Sequence, residues 1–377
     1  MRQIRPTPHR AARSQLYDGL LATLPGWLLA HFVVLYICLR LDYSQPFQPL
    51  FAWDTHWYWV EANGMAHGGA VFTDSTGSGG LAHFFPLTSL FVALLTIVTR
   101  LPVSVALFAF CWLFALLFGA VVHVIAVRET GDRVVAARAA WLTQLAPGAF
   151  ALVMGYTEPL AGVLAALYFL AVRARRPGWA FAAGLLAGVS RPTGIVLALP
   201  GLIEAVRGAH RAGWTPRSLG AAAAQTAAPA LGLFGYLGYC QWHFHDWVLP
   251  YAQQVAGNNR GAVTQNPIDT IHILSGMHEP AVLFTSLVCA GLALGSLLAC
   301  WRSLPVSYTA WSAVMFVLGV TSPWFTSEPR YLAAIFPLLI AAPAVLRSRW
   351  GWYPFLAVNL VFLYWVGYLA LSWKQVA

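Results

Sequence analysis

"LFAWDTHWYWVEANGMAHGG" (50–69) lies between two apolar runs, 20–40 and 84–99. Three tryptophans and a tyrosine crowd one aspartate, Asp54. Trp and Tyr rings suit the headgroup layer of a bilayer. The stretch therefore reads as a short interfacial helix just outside a membrane, with membrane spans on either side. Asp54 near its start would suit the helix cap, since Asp is a strong N-cap residue.

The rest of the chain extends that reading. Of its 377 residues, 59% are hydrophobic and 9% charged, against about 25% charged in soluble domains. Several apolar runs reach roughly 20 residues, enough to cross about 30 Å of hydrocarbon as helix. A β-barrel would instead show alternating segments of about 10 residues. The expected fold is all-α, a polytopic transmembrane helix bundle. Runs at 20–40, 84–99, 102–127, 139–153, 157–172, 179–205, 219–242, 280–300, 304–321, 331–346 and 352–372 give about 11 spans. Two connections are long, 41–83 and 243–279. No repeat or disordered linker divides the chain, so 1–377 reads as a single membrane-embedded domain.

The net charge is +9, carried by arginines scattered over short loops, with Lys374 the only lysine. Such scatter argues against a nucleic-acid partner and for topology signals and contacts with membrane lipids. Cys38, Cys111, Cys240, Cys289 and Cys300 lie in or beside apolar runs and form no CxxC pair, so neither a zinc site nor a disulfide framework is expected. His56, His67 and His83 match no zinc spacing.

Arg2, Arg5, Arg10 and Arg13 place the N-terminus in the cytoplasm, before a retained first span. The segment 41–83 then lies outside, and "VRGAHRAGWTPRS" (206–218), Arg302, Arg347 and Arg349 inside. That puts 243–279 and 322–330 outside too. Five plain crossings between 83 and 207 satisfy this, but they send "RETGDRVVAAR" (128–138) and "RARR" (173–176) outside. The alternative makes 84–99 re-entrant and folds 139–172 and 179–205 into hairpins, which brings both basic clusters inside.

Chemistry gathers in the outer segments, whose acids are Asp54, Glu61, Asp74, Asp246, Asp269, Glu279 and Glu328. A carboxylate partly shielded from water among aromatic rings is more basic, so Asp54 could take a proton from an attacking hydroxyl. Trp53, His56 and Trp57 flank it. "AHFFPLTSLF" (82–91) places Pro86 in a first helical turn, and "MGYTEPLAG" (154–162) reads as a helix start with Thr157 as cap. Glu158 would contact a sugar or orient an arginine. In "GVSRPTGIVLALPG" (188–201), Arg191 is a costly charge in an apolar run beside a helix-weakening proline. "SPWFTSEPRYLAAIFPLL" (322–339) sets Arg330 at the outer mouth of a span. It would pair with Glu328 or use its planar fork on a phosphate. "HFHDWVLPYAQQVAGNNRG" (243–261) adds Asp246 and Arg260 in a setting suited to carbohydrate.

In order, "WDTHWY", "FFPLTSL", "GYTEPLAGVLAALYFLA", "GLLAGVSRPTG" and "EPRYLAAIFPLL" resemble the membrane glycosyltransferases of the C-type (GT-C) superfold. Nearest among these is the bacterial branch of the GPI mannosyltransferase II (PIG-V-like) family. The resemblance covers about residues 50–345. It implies a polyprenyl-phosphate sugar donor, usually mannose, and inverting, metal-independent transfer on the outer face of the cell membrane. The acceptor would be a glycan, glycolipid or glycoprotein of the envelope, and no cofactor is implied. The family's base falls on Asp54 and its motif arginines on Arg191 and Arg330. Its core favours the five plain crossings. Thr88 and Ser89 depart from the family's usual Tyr-Pro, and Met65 from its usual Tyr. The competing expectations are a transporter or flippase, which calls for paired broken helices, and a non-catalytic envelope subunit.

Overall fold

The long apolar runs become helices because a backbone without water must satisfy its own hydrogen bonds. A computed structural model describes residues 8–69, 80–213, 215–256, 280–321 and 327–374. Four helices are long and apolar enough to cross a membrane: α1 (Pro8–Arg40, over its Gln15–Arg40 part), α4 (Val103–Thr130), α11 (Pro280–Ser303) and α15 (Arg349–Leu371). Shorter apolar helices are α3 (Leu87–Thr99), α7 (Pro177–Ser190), α12 (Val306–Val320) and α14 (Phe336–Val345). The remaining helices are α2 (Asp54–His67), α5 (Arg133–Leu145), α6 (Glu158–Arg173), α8 (Ala198–Ala212), α9 (Pro216–Phe244), α10 (Leu249–Ala256) and α13 (Glu328–Ala333). No β-strand element occurs among the described residues. Length and apolarity thus single out four spans among the described residues, which does not confirm the expected count of about 11.

The interior departs from the five-crossing expectation around two turns. A 3-10 turn over Pro147–Leu152 separates α5 from α6, and another over Pro192–Leu197 separates α7 from α8. Each begins with a proline, which cannot donate to a continuing helix. The run 179–205 is therefore two helical pieces rather than one span.

Ion pairs show where the ends of these pieces lie. Arg173, at the end of α6, binds Glu129 of α4 through two hydrogen bonds of 2.9 and 2.8 Å and approaches Glu204 of α8 at 3.4 Å. Arg207 and Ser307 also donate to Glu204, at 3.2 and 2.6 Å, and Tyr308 donates to Glu129 at 3.1 Å. Arg138 of α5 donates to the Leu346 and Arg347 carbonyls. The basic segments 128–138, 173–176 and 206–218 thus share one end of the bundle with Arg347. The hairpin alternative describes this arrangement; five plain crossings do not.

At the opposite end lie the starts of α2, α3 and α6 and the end of α7. Gly188 of α7 and Gly232 of α9 let these two helices touch backbone to backbone. A Cβ on Gly188 would overlap the Pro229 carbonyl, and one on Gly232 the Leu185 carbonyl. Small residues serve helix contacts of this kind in membranes. This contact fixes the height at which α7 stops and Arg191 begins.

Candidate active site

Residues 54–67 form α2 with Asp54 as the first helical residue, not the cap. The cap position is Trp53, and no side chain caps this end. An acidic residue in a first turn still suits the positive end of the helix dipole. Asp54, Tyr58 and Glu61 follow one another at i, i+4 and i+7, so they share one face. That face packs inward: Tyr58 is 6% exposed and Glu61 fully buried.

The Asp54 carboxylate turns to Arg330 of α13. Arg330 Nη1 donates to Asp54 Oδ2 at 2.6 Å. Arg330 Nε lies 3.2 Å from Glu158 Oε1, and Arg191 Nη1 lies 2.9 Å from the same oxygen. Neither contact to Glu158 is aligned as a hydrogen bond. Two carboxylates and two guanidinium groups, from α2, α6, the end of α7 and α13, thus form one chain: Asp54–Arg330–Glu158–Arg191. The side chains of Glu158 and Arg330 are 3% and 6% exposed, whereas Asp54 is 31% exposed. The buried members lie inside and the proton-accepting candidate at the rim.

Local sequence explains each placement. Glu158-Pro159 opens α6, where a proline costs nothing because its missing N–H has no partner. Arg191 is extended, as a residue before proline prefers, and so ends α7. Gly148, in the first 3-10 turn, lets α13 lie directly on it. A Cβ there would overlap the Pro329 carbonyl and stand 2.7 Å from Arg330 Cα.

Tyrosines enclose the network. The Arg330 guanidinium lies 4.9 Å from the ring centres of both Tyr156 and Tyr331, and that of Arg191 lies 5.8 Å from Tyr331. Arg330 Nη2 also donates to the Tyr331 hydroxyl at 3.2 Å. The sequence reading gave these tyrosines no role. The available signal was their position inside the same motifs, "GYTEP" and "EPRY", beside the charged residues.

Thr88 and Ser89, the positions that depart from the family pattern, both bond toward the site. Thr88 donates to Thr157 Oγ1 at 2.9 Å, and Ser89 to Glu61 Oε2 at 2.7 Å. Thr157 precedes α6 without capping it. Glu61 is a buried carboxyl rather than an outer-loop acid. Burial pushes it well above the usual carboxylate range, against the opposing Ser89 hydrogen bond.

The other expected residues fall outside the network. Trp53 donates through Nε1 to the Ala370 carbonyl at 2.9 Å and packs on Trp373, tying the start of α2 to the end of α15. Its φ of 56° is unusual for a residue with a side chain. Trp57 is half-buried with its ring near His56 and Phe84, and His56 is exposed. Asp246 accepts from the Val248 N–H at 2.9 Å within its own turn, and no hydrogen bond or ion pair ties it to Asp54. Arg260, Asp74, Asp269 and Glu279 lie outside the described residues. Glu328 is fully buried, and neither of its oxygens has a hydrogen-bond partner among the described residues. It is not the partner of Arg330. Among the described residues, no group of three or more His, Cys, Asp and Glu side chains is placed to hold a metal ion.

No family model and no curated protein matches the chain, so the PIG-V-like resemblance has no support beyond its motifs. Two solved structures are similar in outline, both of the oligosaccharyltransferase of Archaeoglobus fulgidus. One is the protein AglB with an inhibitory peptide and a dolichol-phosphate, at 13% identity and a TM-score of 0.45, over 92% of this chain and 55% of that one. The other is the apo form, at 14% identity and a TM-score of 0.45, over 92% and 56%. The chain thus spans little more than half the length of these structures. A likeness this distant carries no argument about activity; the charge network does.

Proposed function

We propose that the chain is a membrane glycosyltransferase of the C-type kind. It would transfer a sugar, mannose by motif resemblance, from a polyprenyl-phosphate donor to a hydroxyl of an envelope acceptor on the outer face of the cell membrane. The supporting observation is the Asp54–Arg330–Glu158–Arg191 network. Four charges from four separate segments meet in a largely buried site. Stability alone does not call for them: replacing buried ion pairs by apolar residues is often neutral or stabilising by about 1–4 kcal/mol.

The chemistry follows from the charges. Asp54 takes the proton of the acceptor hydroxyl, and the oxygen attacks the anomeric carbon from the face opposite the phosphate. The carbon–oxygen bond to phosphate breaks, and its electron pair leaves on the phosphate, so the configuration inverts. A phosphodiester with one negative charge becomes a monoester with more. Arg330, backed by Arg191, places positive charge where that negative charge grows, which is where a fixed charge helps most. Glu158 holds both guanidinium groups in place.

The test is to incubate purified protein with polyprenyl-phosphate carrying radiolabelled mannose and with fractionated envelope acceptors, then identify the labelled product. No labelled product from any fraction would sink the reading. A transporter or flippase is the second reading. It is favoured by the two proline-led breaks at 147–152 and 192–197, which form a pair of interrupted helices. Movement of a lipid-linked sugar across a reconstituted bilayer, with no bond broken, would support it instead.

A further inference from the structure

Arg330 has no free side. Nη1 is on Asp54, Nη2 on the Tyr331 hydroxyl and Nε against Glu158. A phosphate that is to take the guanidinium fork must therefore displace one partner. Glu158 is poorly placed to yield, being buried and shared with Arg191. Asp54 is the partner with access to water, at 31% exposure, and it stands on the first turn of α2.

Charge points the same way. The network holds two negative and two positive groups, facing Tyr156, Tyr331 and Tyr58 and no further charged side chain at ion-pair distance among the described residues. A phosphodiester adds one negative charge. That charge repels the Asp54 carboxylate and attracts the Arg330 guanidinium, so the phosphate competes with Asp54 for the fork.

We propose that the Asp54–Arg330 pair is the resting state of the site, and that a phosphodiester takes Arg330 from Asp54 so that Asp54 becomes a base only when the donor is in place. This rests on the glycosyl-transfer reading and adds its regulation. While paired, the carboxylate is held by the Arg330 guanidinium, and an empty site activates neither water nor a stray hydroxyl. When the phosphate arrives, Asp54 loses its counter-charge and gains a negative neighbour. Both changes turn it away from the phosphate and free it to accept a proton at the moment the anomeric carbon is present. The acceptor's proton then moves to Asp54, and the site returns to neutrality as that proton is passed to water and the phosphate leaves.

The experiment uses the full chain in lipid nanodiscs and geranyl methyl phosphate, a phosphodiester with one charge and no sugar. A competing carboxylate weakens phosphate binding, so Asp54→Asn should bind the probe about tenfold more tightly than wild type, about 1.4 kcal/mol. Equal or weaker binding overturns the proposal, while wild-type binding and transfer would leave the donor reading standing. Infrared difference spectra of wild-type protein with isotope-labelled aspartate give a second measurement that does not depend on the variant folding. The probe should shift a carboxylate band away from its arginine-bound position, and an unchanged band also overturns the proposal. If neither protein binds the probe, both the proposal and the donor reading fall.

Discussion

The Arg330 guanidinium meets the Asp54 carboxylate at 2.6 Å across 276 residues of sequence. Asp54→Asn keeps the size of the side chain and removes its charge. Loss of a general base costs about 10²–10⁴ in rate, so the variant should fold, hold a phosphodiester and transfer sugar slower than wild type by about that factor. Single-turnover transfer beside a circular-dichroism melt checks this. Near-normal transfer would reduce Asp54 to a partner that orients Arg330.

Arg330→Ala and Arg330→Lys separate charge from shape. The alanine variant loses the positive charge beside the leaving phosphate and should lose about 10²–10³ in turnover, together with donor affinity. The lysine variant keeps the charge but cannot reach Asp54, Tyr331 and Glu158 at once, so its turnover should fall between the two. If the lysine variant matches wild type in both binding and turnover, the planar fork is not used.

Gly148→Ala tests how the arginine is positioned. The added methyl group overlaps the Pro329 carbonyl and reaches 2.7 Å from Arg330 Cα. Overpacking of this kind costs typically about 1–3 kcal/mol, and the movement it forces falls on α13. Activity should drop further than the loss in thermal stability explains. A melting temperature and transfer rate both equal to wild type would contradict the packing.

Glu61→Gln carries a pH signature. The folded protein holds the Glu61 proton above the ordinary glutamate value of 4.5. The wild type is therefore best off below that value and loses stability as pH rises from there toward the folded-state value, by about 1.4 kcal/mol per pH unit. Glutamine has no such slope. Glu61→Gln should melt increasingly above wild type as pH rises above the ordinary glutamate value of 4.5, and the gap should close in acid. Parallel melting curves across the range would show that Glu61 is ionised in the fold.

Much of the candidate site was legible because charge in an apolar setting is conspicuous. Asp54 among tryptophans, Arg191 before Pro192 and Arg330 at the mouth of a span all stood out by residue type. Their connections did not. Glu328 looked like the partner of Arg330 because it is two residues away, but positions i and i+2 on a helix do not face each other, and Arg330 turns to Asp54. The basic clusters were misplaced under plain crossings for a related reason. Hydropathy measures how long an apolar run is, not whether a proline-led 3-10 turn sends it back. Glu61 was read as a loop acid because nothing near it in sequence reveals that Ser89 would close over it.

Helix α6 carries Glu158 of the site at its start and Arg173 of the opposite ion network at its end. Fifteen residue steps at 1.5 Å make about 22 Å, short of a hydrocarbon layer of about 30 Å. Helix α4 runs past the same level: its Cys111 donates to the Tyr156 carbonyl beside Arg330, and eight further steps, about 12 Å, carry it out to Val103. The Arg330 and Glu158 side chains are thus sunk beneath the rim at which Asp54 stands. Under the proposed function, a sugar held by a lipid phosphate must be drawn down from the headgroups, and the hydroxyl that receives it must come on a slender arm. A glycan terminus or a lipid-borne sugar has that shape; the broad face of a folded protein does not.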